Sequence, residues 1–343
     1  MIEKLKESRL GGGREAYADA LKFLGIILVV RGHVELFGLG IGMEDSYDYK
    51  SILFMYSFTM PLFFFISGYF AYKVNMPTCE IRKKLLNKFL YLVLPAVTFY
   101  IYYNATNGSS IFGFIANGFG RYWFTITLFQ CFLLYYIVRI FTSNRRWLTF
   151  VLLFLSVTGI VYLSLFSKHE IPLLDLNHLT KYFQYFTFGI IAKMYNEKYV
   201  RLISNQAIIS LTTIGFFLIL LALFECHMPS VLHHGLRDIV LRYLGTFMVV
   251  SLFYNNKEKF EKATPINHII ILVGRYTLPI YLLQYFFLPD IRCYTAVIEK
   301  LDMVTVNIIC FLYTAFIIFL CMIFILLLSN SRIISKYILG HRI

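Results

Sequence analysis

The chain has 343 residues, of which 59% are hydrophobic and only 15% are charged. Ordinary soluble domains contain about 45–50% apolar and about 25% charged residues, and a soluble fold of this size has too little interior to bury the excess. The composition therefore excludes a secreted domain, a cytosolic enzyme and a disordered regulator. The net charge of +13 does not indicate nucleic-acid binding, because the basic residues lie between apolar runs, next to lipid headgroups.

Ten apolar segments approach the length of about 20 residues that a helix needs to cross a bilayer. These segments are residues 18–41, 50–73, 86–106, 121–141, 147–166, 178–196, 205–226, 237–255, 268–289 and 303–329. They predict an all-α bundle of about ten transmembrane helices (18–329) between an N-terminal segment (1–17) and a C-terminal tail (330–343). The Gly-rich apolar stretch 107–120 has the composition of a re-entrant loop.

The distribution of Lys and Arg predicts the orientation of this bundle. The N-terminus, the C-terminal tail and every second connection between them hold 21 of the 32 Lys and Arg residues, whereas the alternate connections hold 7. Cytoplasmic loops carry the excess of positive charge, so both termini are predicted to lie in the cytoplasm. The remaining four cations, Lys22, Arg31, Arg242 and Arg275, lie within or at the ends of spans, where ionisable groups usually serve a function.

The first segment carries several of these ionisable residues. Lys22 and His33 are 11 positions apart, which places them on one stripe of a helix, about 16.5 Å apart along its axis. Asp19 precedes Lys22 by three residues and can form an ion pair with it. Arg31 lies on the opposite side, where Glu35 at i+4 can neutralise it. A helix with two polar faces must be surrounded by protein rather than by lipid.

His33 has two interpretations. A single His in a membrane helix often serves only as an interhelical hydrogen-bond partner, but imidazole is also the side chain best suited to general base catalysis near neutral pH. The alignment with Lys22 and the adjacent Gly32, which lets another group approach the backbone, favour catalysis. His33 lies about 22 Å from the cytoplasmic end of the helix, in the outer half of the membrane. For Arg31 and Glu35 the spacing favours a structural ion pair.

A basic cluster lies at the cytoplasmic start of the third segment, formed by Arg82, Lys83 and Lys84. Such a cluster either anchors a helix to lipid headgroups or attracts a ligand that bears several phosphate groups. Both interpretations fit the residues alone.

Three residues at other helix ends also have two interpretations each. Tyr122 and Trp123 begin the fourth segment on the outer side, where aromatic residues form a membrane belt or stack on sugars. Arg275 begins the ninth span, either as an interfacial cation or as a substrate ligand.

The cysteines and histidines show no metal-ligand spacing, so no metal site and no disulfide are predicted.

Five segments of the sequence resemble, in order, parts of one family of membrane enzymes. DALKFLGIILVVRGH (19–33) resembles the opening helix of the integral-membrane acyltransferases called acyltransferase 3, in which Arg or Lys is followed by ten residues and then His, here Lys22 and His33. Four later segments are similar to further parts of that family in the same order. They are PLFFFISGYFAYK (61–73), IRKKLLNKFLYLVLP (81–95), GRYWFTITLF (120–129) and VGRYTLPIYLLQYF (273–286).

The resemblance implies a membrane O-acyltransferase of the cell (inner or plasma) membrane. Its donor would be acetyl-CoA or another short acyl-CoA, and its acceptor a sugar hydroxyl of a surface polysaccharide or of a lipid-linked precursor. His33 would act as a general base or as an acyl carrier, supported by Lys22 and Asp19. The basic cluster would bind the donor, and Tyr122, Trp123 and Arg275 would bind substrate.

The sequence departs from the family pattern at three positions. Lys22 and Lys84 stand where Arg is frequent, and Lys lacks the bidentate fork of Arg. Gln284 stands where many members have His. No appended extracytoplasmic domain is expected, so the membrane part alone would carry out acylation.

The competing class is a transporter or flippase for a glycan or a small anion. Such a protein also needs about ten spans, aromatic sugar platforms and charged groups in the membrane. The lack of a detectable internal repeat counts weakly against the transporter folds built from repeats.

Overall fold

The computed structural model describes residues 15–40, 49–106, 112–114, 118–142, 145–166, 173–225, 231–298, 300–331, 337 and 339–340. All regular secondary structure in these ranges is helical, as predicted. The helices are α1 (Ala16–His33), α2 (Tyr49–Tyr56), α3 (Thr59–Ala71), α4 (Thr78–Lys88), α5 (Leu94–Thr106), α6 (Trp123–Thr142), α7 (Arg146–Phe166), α8 (Leu176–Met194), α9 (Asn196–Ser204), α10 (Gln206–Glu225), α11 (Val231–Asn255), α12 (Lys257–Glu261), α13 (Pro265–Arg275), α14 (Thr277–Phe287), α15 (Thr295–Ile298) and α16 (Met303–Leu328).

Each of the ten predicted segments coincides with one or two of these helices. By length and composition, four helical stretches in the described ranges can cross a membrane: Ile52–Ala71, Thr78–Thr106, Gly120–Thr142 and Met303–Leu328. Two bent pairs, α9 with α10 and α13 with α14, raise the number to at most six. The chain is thus an all-α, multi-pass membrane protein, while the count of ten spans and the cytoplasmic termini remain predictions. Most of the stretch proposed as a re-entrant loop lies outside the described residues.

Helix α1 occupies the centre of the bundle. It packs against α3, α11, α13, α14 and α16, and no residue from Glu15 to Leu36 is exposed. The expectation that protein surrounds this helix is therefore confirmed. The helix is continuous from Ala16 to His33 and then widens into a π-helical turn at Val34–Leu39, so Lys22 and His33 do share one stripe.

Prolines account for three interruptions of the predicted spans. A proline clashes with the carbonyl of the residue four positions earlier and cannot donate to it. In a regular helix Pro61 would clash with the carbonyl of Ser57, and the chain breaks at Ser57–Phe58. Pro95 would clash with the carbonyl of Tyr91, and the helix widens into a π-helix at Phe89–Val93. Pro279 would clash with the carbonyl of Arg275, and the helix breaks at Tyr276.

The break at Tyr276 corrects the prediction of one continuous helix over 268–289. Helices α13 and α14 meet there at an angle of 82°. Because of this bend, α13 brings Arg275 to the N-terminal half of α1, and α14 continues toward His33.

Glycines allow the central helices to approach each other closely. A Cβ atom on Gly68 of α3 would collide with the carbonyl of Phe186 in α8, and one on Gly274 of α13 would collide with the carbonyl of Asp19 in α1. The first contact brings α3 and α8 close together. The second fixes α13 against the polar start of α1.

Candidate active site

The His33 imidazole is held by a residue of α14. His33 Nδ1 lies 3.1 Å from the side-chain oxygen Oε1 of Gln284, and the Gln284 amide nitrogen donates to the carbonyl of Tyr281 at 3.0 Å. Since that second bond fixes the amide orientation, Oε1 must accept from Nδ1–H. In the neutral ring the lone pair is then on Nε2. Gln284 thus leaves Nε2 as the basic nitrogen.

Tyr285 faces this nitrogen. Its hydroxyl oxygen lies 3.4 Å from His33 Nε2 and donates a 3.0 Å hydrogen bond to the backbone carbonyl of Arg121. The Tyr281 hydroxyl donates to the same carbonyl at 2.6 Å. One face of α14 therefore connects the imidazole to the segment that precedes α6.

The Arg121 guanidinium lies beside this pair. Its central carbon is 4.9 Å from the ring centroids of Phe37 and Tyr103 and 5.4 Å from that of Tyr285. In the ranges that the structure describes, no carboxylate forms an ion pair with it. Three aromatic faces hold a half-buried positive charge next to the imidazole.

The loop before Arg121 is anchored from the other end of the site. The backbone N–H of Phe119 donates to the Asp175 carboxylate at 2.8 Å. Asp175 is buried and, like Leu174, has a left-handed backbone (φ 61° and 50°), which non-glycine residues rarely adopt. Burial raises the Asp175 pKa to about 6, an effect that the Phe119 N–H partly offsets.

The side chains of Tyr122 and Trp123, both predicted substrate ligands, pack against different residues. Tyr122 is almost fully buried, packs edge-on against the Tyr285 ring at 5.4 Å, and its hydroxyl has no hydrogen-bond partner among the described residues. Trp123 is half-buried and stacks on His178 (4.0 Å between centroids) and Tyr182 (5.3 Å). His33, Gln284, Tyr285 and Arg121 together are called the His33 cluster. Of the two predicted ligands, only Tyr122 makes a direct ring contact with it, through Tyr285.

A cavity of about 130 Å³ lies between α1, α3, α6 and α14. Its polar lining comes from Lys22, Ser67, Thr277 and Tyr281, and the remainder is apolar. Pockets that enclose a drug-sized ligand are larger, about 300–1,000 Å³, so this space fits only the end of a long molecule. Tyr281 lines the cavity and lies one turn before Tyr285, which joins the cavity wall to the His33 cluster.

Lys22 belongs to a three-residue charge network at the other end of the stripe. Its amine pairs with Asp19 at 2.9 Å, as predicted from their spacing, and Asp19 also accepts from Arg275 Nε at 3.4 Å. Asp19 is buried, whereas the two cations are partly exposed. Arg275 is therefore placed with Lys22 and away from Tyr122 and Trp123.

The predicted pair on the opposite face of α1 is also present. Arg31 donates to Glu35 at 2.7 Å and to the side-chain oxygen of Asn307 in α16 at 2.5 Å. Arg31 is 1% exposed and Glu35 is fully buried. The contacts run to α16 rather than to the cavity, which supports the structural interpretation.

The basic cluster lies on α4, apart from the His33 cluster. Arg82 and Lys83 are exposed, and neither has a hydrogen bond or an ion pair in the described part of the chain. Lys84 pairs with Glu80 at 3.1 Å, and Lys73 pairs with the same carboxylate. Lys84 thus already has a carboxylate partner, whereas Arg82 and Lys83 form no ion pair with a described carboxylate.

The sequence-based interpretation missed Arg121, Tyr281 and Tyr285 and treated Gln284 only as a departure from the family. A signal for the α14 residues was present, since positions 281, 284 and 285 share one helical face. Arg121 was counted only as an outer cation, and its position beside His33 follows from tertiary packing. Within the described residues, no three His, Cys, Asp or Glu side chains group as a metal site.

The comparisons with known proteins agree with this architecture. The family model described as an acyltransferase domain matches residues 15–329, nearly the whole chain. No curated protein and no solved structure matches the chain. The matched range begins at the start of α1, which carries the Lys22–His33 stripe, and ends just after α16. The chain therefore belongs to the acyltransferase 3 family, and it is a multi-pass membrane acyltransferase.

Proposed function

We propose that the enzyme transfers an acetyl group from cytosolic acetyl-CoA to a hydroxyl of a sugar, in a surface polysaccharide or its lipid-linked precursor, at the cell (inner or plasma) membrane. The observation that carries the proposal is the hydrogen bond from His33 Nδ1 to Gln284, which leaves Nε2 as a base. This base lies next to aromatic side chains, a residue type that binds sugars. Tyr281, one turn before Tyr285 on α14, lines the neighbouring cavity.

His33 would activate the acceptor. A sugar hydroxyl is a weak nucleophile, so Nε2 removes its proton while the oxygen attacks the thioester carbonyl carbon. The carbon–sulfur bond of the tetrahedral intermediate then breaks, and the proton on Nε2 passes to the departing thiolate. The products are the acetyl ester and free CoA, and His33 returns to its neutral form.

General base assistance accounts for about 10²–10⁴-fold of the rate. Positioning and stabilisation of the developing oxyanion must supply the rest. The buried Tyr122 hydroxyl has no partner among the described residues, and the Tyr122 ring packs against Tyr285, which faces the base. This O–H group is suited to bind the acceptor or the oxyanion, whereas the Tyr285 proton is already donated to the Arg121 carbonyl.

Lys22 would act at the donor end of the cavity. The amine lines the cavity and is oriented by Asp19, which Arg275 also contacts. A fixed ammonium group there favours a polar group of the pantetheine arm, because the thioester carbonyl itself must lie at His33, about 16.5 Å along the helix. The arm would enter from the cytoplasmic side, where Arg82 and Lys83 attract the phosphates of CoA.

The same geometry suits an acyl-histidine route, in which Nε2 first takes the acetyl group. Exchange of labelled free CoA into acetyl-CoA, measured without acceptor, distinguishes the two routes. Exchange that His33→Ala abolishes indicates the covalent route, in which acetyl moves to Nε2 and free CoA is released, and absence of exchange in an enzyme active in transfer indicates the general base.

The proposal is tested with purified enzyme, acetyl-CoA labelled in its acetyl group, and glycan from cells that lack the gene. We expect label to enter the glycan as an alkali-labile ester. The matched control is glycan from cells with the gene, whose acceptor hydroxyls are already acetylated. If neither glycan takes up label while the protein carries glycan across proteoliposome membranes without acetyl-CoA, the proposed reaction is wrong.

A further inference from the structure

Arg121 differs from three other arginines of the described ranges, each of which pairs with a carboxylate. Arg31 pairs with Glu35, Arg275 with Asp19, and Arg292 makes two 2.8 Å hydrogen bonds to Asp290. Arg121 has no carboxylate partner in the described ranges, although it is half-buried. A cation removed from water without a counter-charge is costly, so an unpaired arginine beside a catalytic base points to a ligand.

The side chain is also held in place. The three ring faces of Phe37, Tyr103 and Tyr285 surround the guanidinium. The hydroxyls of Tyr281 and Tyr285 hold the Arg121 backbone carbonyl. Cation–π contacts position the charge but do not use the N–H donors, which stay available for an anion.

The position of this charge suits the acceptor rather than the donor. Tyr285 contacts both the Arg121 guanidinium and His33 Nε2. Arg121 precedes α6 at the predicted outer side, whereas the cations assigned to CoA lie on α4, at the predicted cytoplasmic side. A guanidinium group binds carboxylate and phosphate through two parallel hydrogen bonds.

Resting on the proposed function, we infer that Arg121 binds an oxyanion, a carboxylate or a phosphate, carried by the acceptor close to the hydroxyl that is acetylated. The enzyme would thus select acidic glycans over neutral ones. Charge-assisted hydrogen bonds of this kind change affinity by about ten- to a hundredfold.

The test is equilibrium binding of two matched probes to the purified full-length enzyme in neutral detergent. Methyl β-glucuronide and methyl β-glucoside differ only in the carboxylate, and methyl glucoside 6-phosphate provides a phosphate arm. We expect wild type to bind at least one anionic probe about tenfold or more tightly than the glucoside. Arg121→Gln should lose this preference, and Arg121→Lys should keep part of it.

Arg292→Gln is the matched control, because it removes a nearby cation that Asp290 already neutralises, and it should keep the wild-type preference. Equal binding of all three probes by wild type would overturn the inference, as would an unchanged preference in Arg121→Gln. Arg121-dependent binding of phosphatidylglycerol vesicles without any preference among the glycosides would overturn it in favour of a lipid headgroup. Binding needs no acetyl-CoA, so failure of the transfer reaction is recognised separately.

Discussion

The His33 ring and the Gln284 side chain lie 3.1 Å apart, Nδ1 to Oε1, although 251 positions separate them in the chain. This contact fixes the tautomer of the imidazole. An amide is therefore the orienting partner of the imidazole in this chain.

Replacing the orienting amide tests this arrangement. Gln284→Leu removes the acceptor for Nδ1–H, which frees the ring to rotate and to change tautomer. We expect kcat to fall about tenfold or more, with little change in the KM for acetyl-CoA. Gln284→Glu keeps an oxygen acceptor and should retain more activity than Gln284→Leu. Equal kcat in Gln284→Leu and wild type, at matched folded protein, would remove Gln284 from the mechanism.

Much of helix α1 could be predicted from its sequence, because its contacts follow helical periodicity. The Asp19–Lys22 and Arg31–Glu35 pairs are three and four residues apart, and both are present. The His33 stripe follows from the same rule. Local spacing therefore placed the candidate base.

The rest of the site depends on tertiary contacts that no local pattern encodes. Helix α14 reaches His33 only because the chain bends by 82° at Tyr276. The sequence contains Pro279, which causes the break, but the residues on both sides of it are apolar, so hydropathy alone predicts one continuous span. The position of Arg121 likewise depends on its contacts with Tyr281 and Tyr285, about 160 residues away.

The buried Arg31–Glu35 pair should support folding rather than chemistry. Glu35→Gln leaves the Arg31 charge in a buried site without its carboxylate, and the expected loss of stability is about 3 kcal/mol. A double variant, Arg31→Met with Glu35→Leu, should recover most of that loss. Thermal melting and activity per folded molecule are the measurements. A large fall in kcat at unchanged melting temperature would instead assign the pair to the reaction.

The free cations of α4 should act on the donor alone. Arg82→Gln with Lys83→Gln should raise the KM for acetyl-CoA about tenfold or more and leave that for the acceptor unchanged. Lys84→Gln is the matched control, since Lys84 already pairs with Glu80. Added salt should raise the donor KM of wild type more than that of the double variant. Identical donor KM values at equal membrane insertion would leave the cluster as a topology signal.

Asp175 predicts a dependence of stability on pH. Its folded-state pKa is raised from 3.8 to about 6 by burial, so the folded state binds a proton more tightly than the unfolded state. The contribution to stability is therefore fully present below pH 3.8 and is lost as the pH rises through about 6. Asn carries no charge, can accept from the Phe119 N–H and tolerates a left-handed backbone.

At pH 8 the free energy of unfolding of Asp175→Asn should therefore exceed that of wild type by a margin of about 1–3 kcal/mol, and the variant should melt at a higher temperature. The margin should shrink as the pH falls through 6 toward 4. Melting curves of the two purified proteins across this range provide the measurement. A margin that stays constant with pH would show that Asp175 is not the titrating group.

The role of His33 is tested most directly by single-turnover acetyl transfer with purified His33→Ala, using labelled acetyl-CoA and unacetylated glycan. Because the variant keeps the other contacts of α1 and α14, we expect it to insert, fold and bind acetyl-CoA with wild-type affinity. Its transfer rate should fall about 10²–10⁴-fold. A rate close to that of wild type in the folded variant would contradict His33 as the base, and with it the reaction proposed for this site.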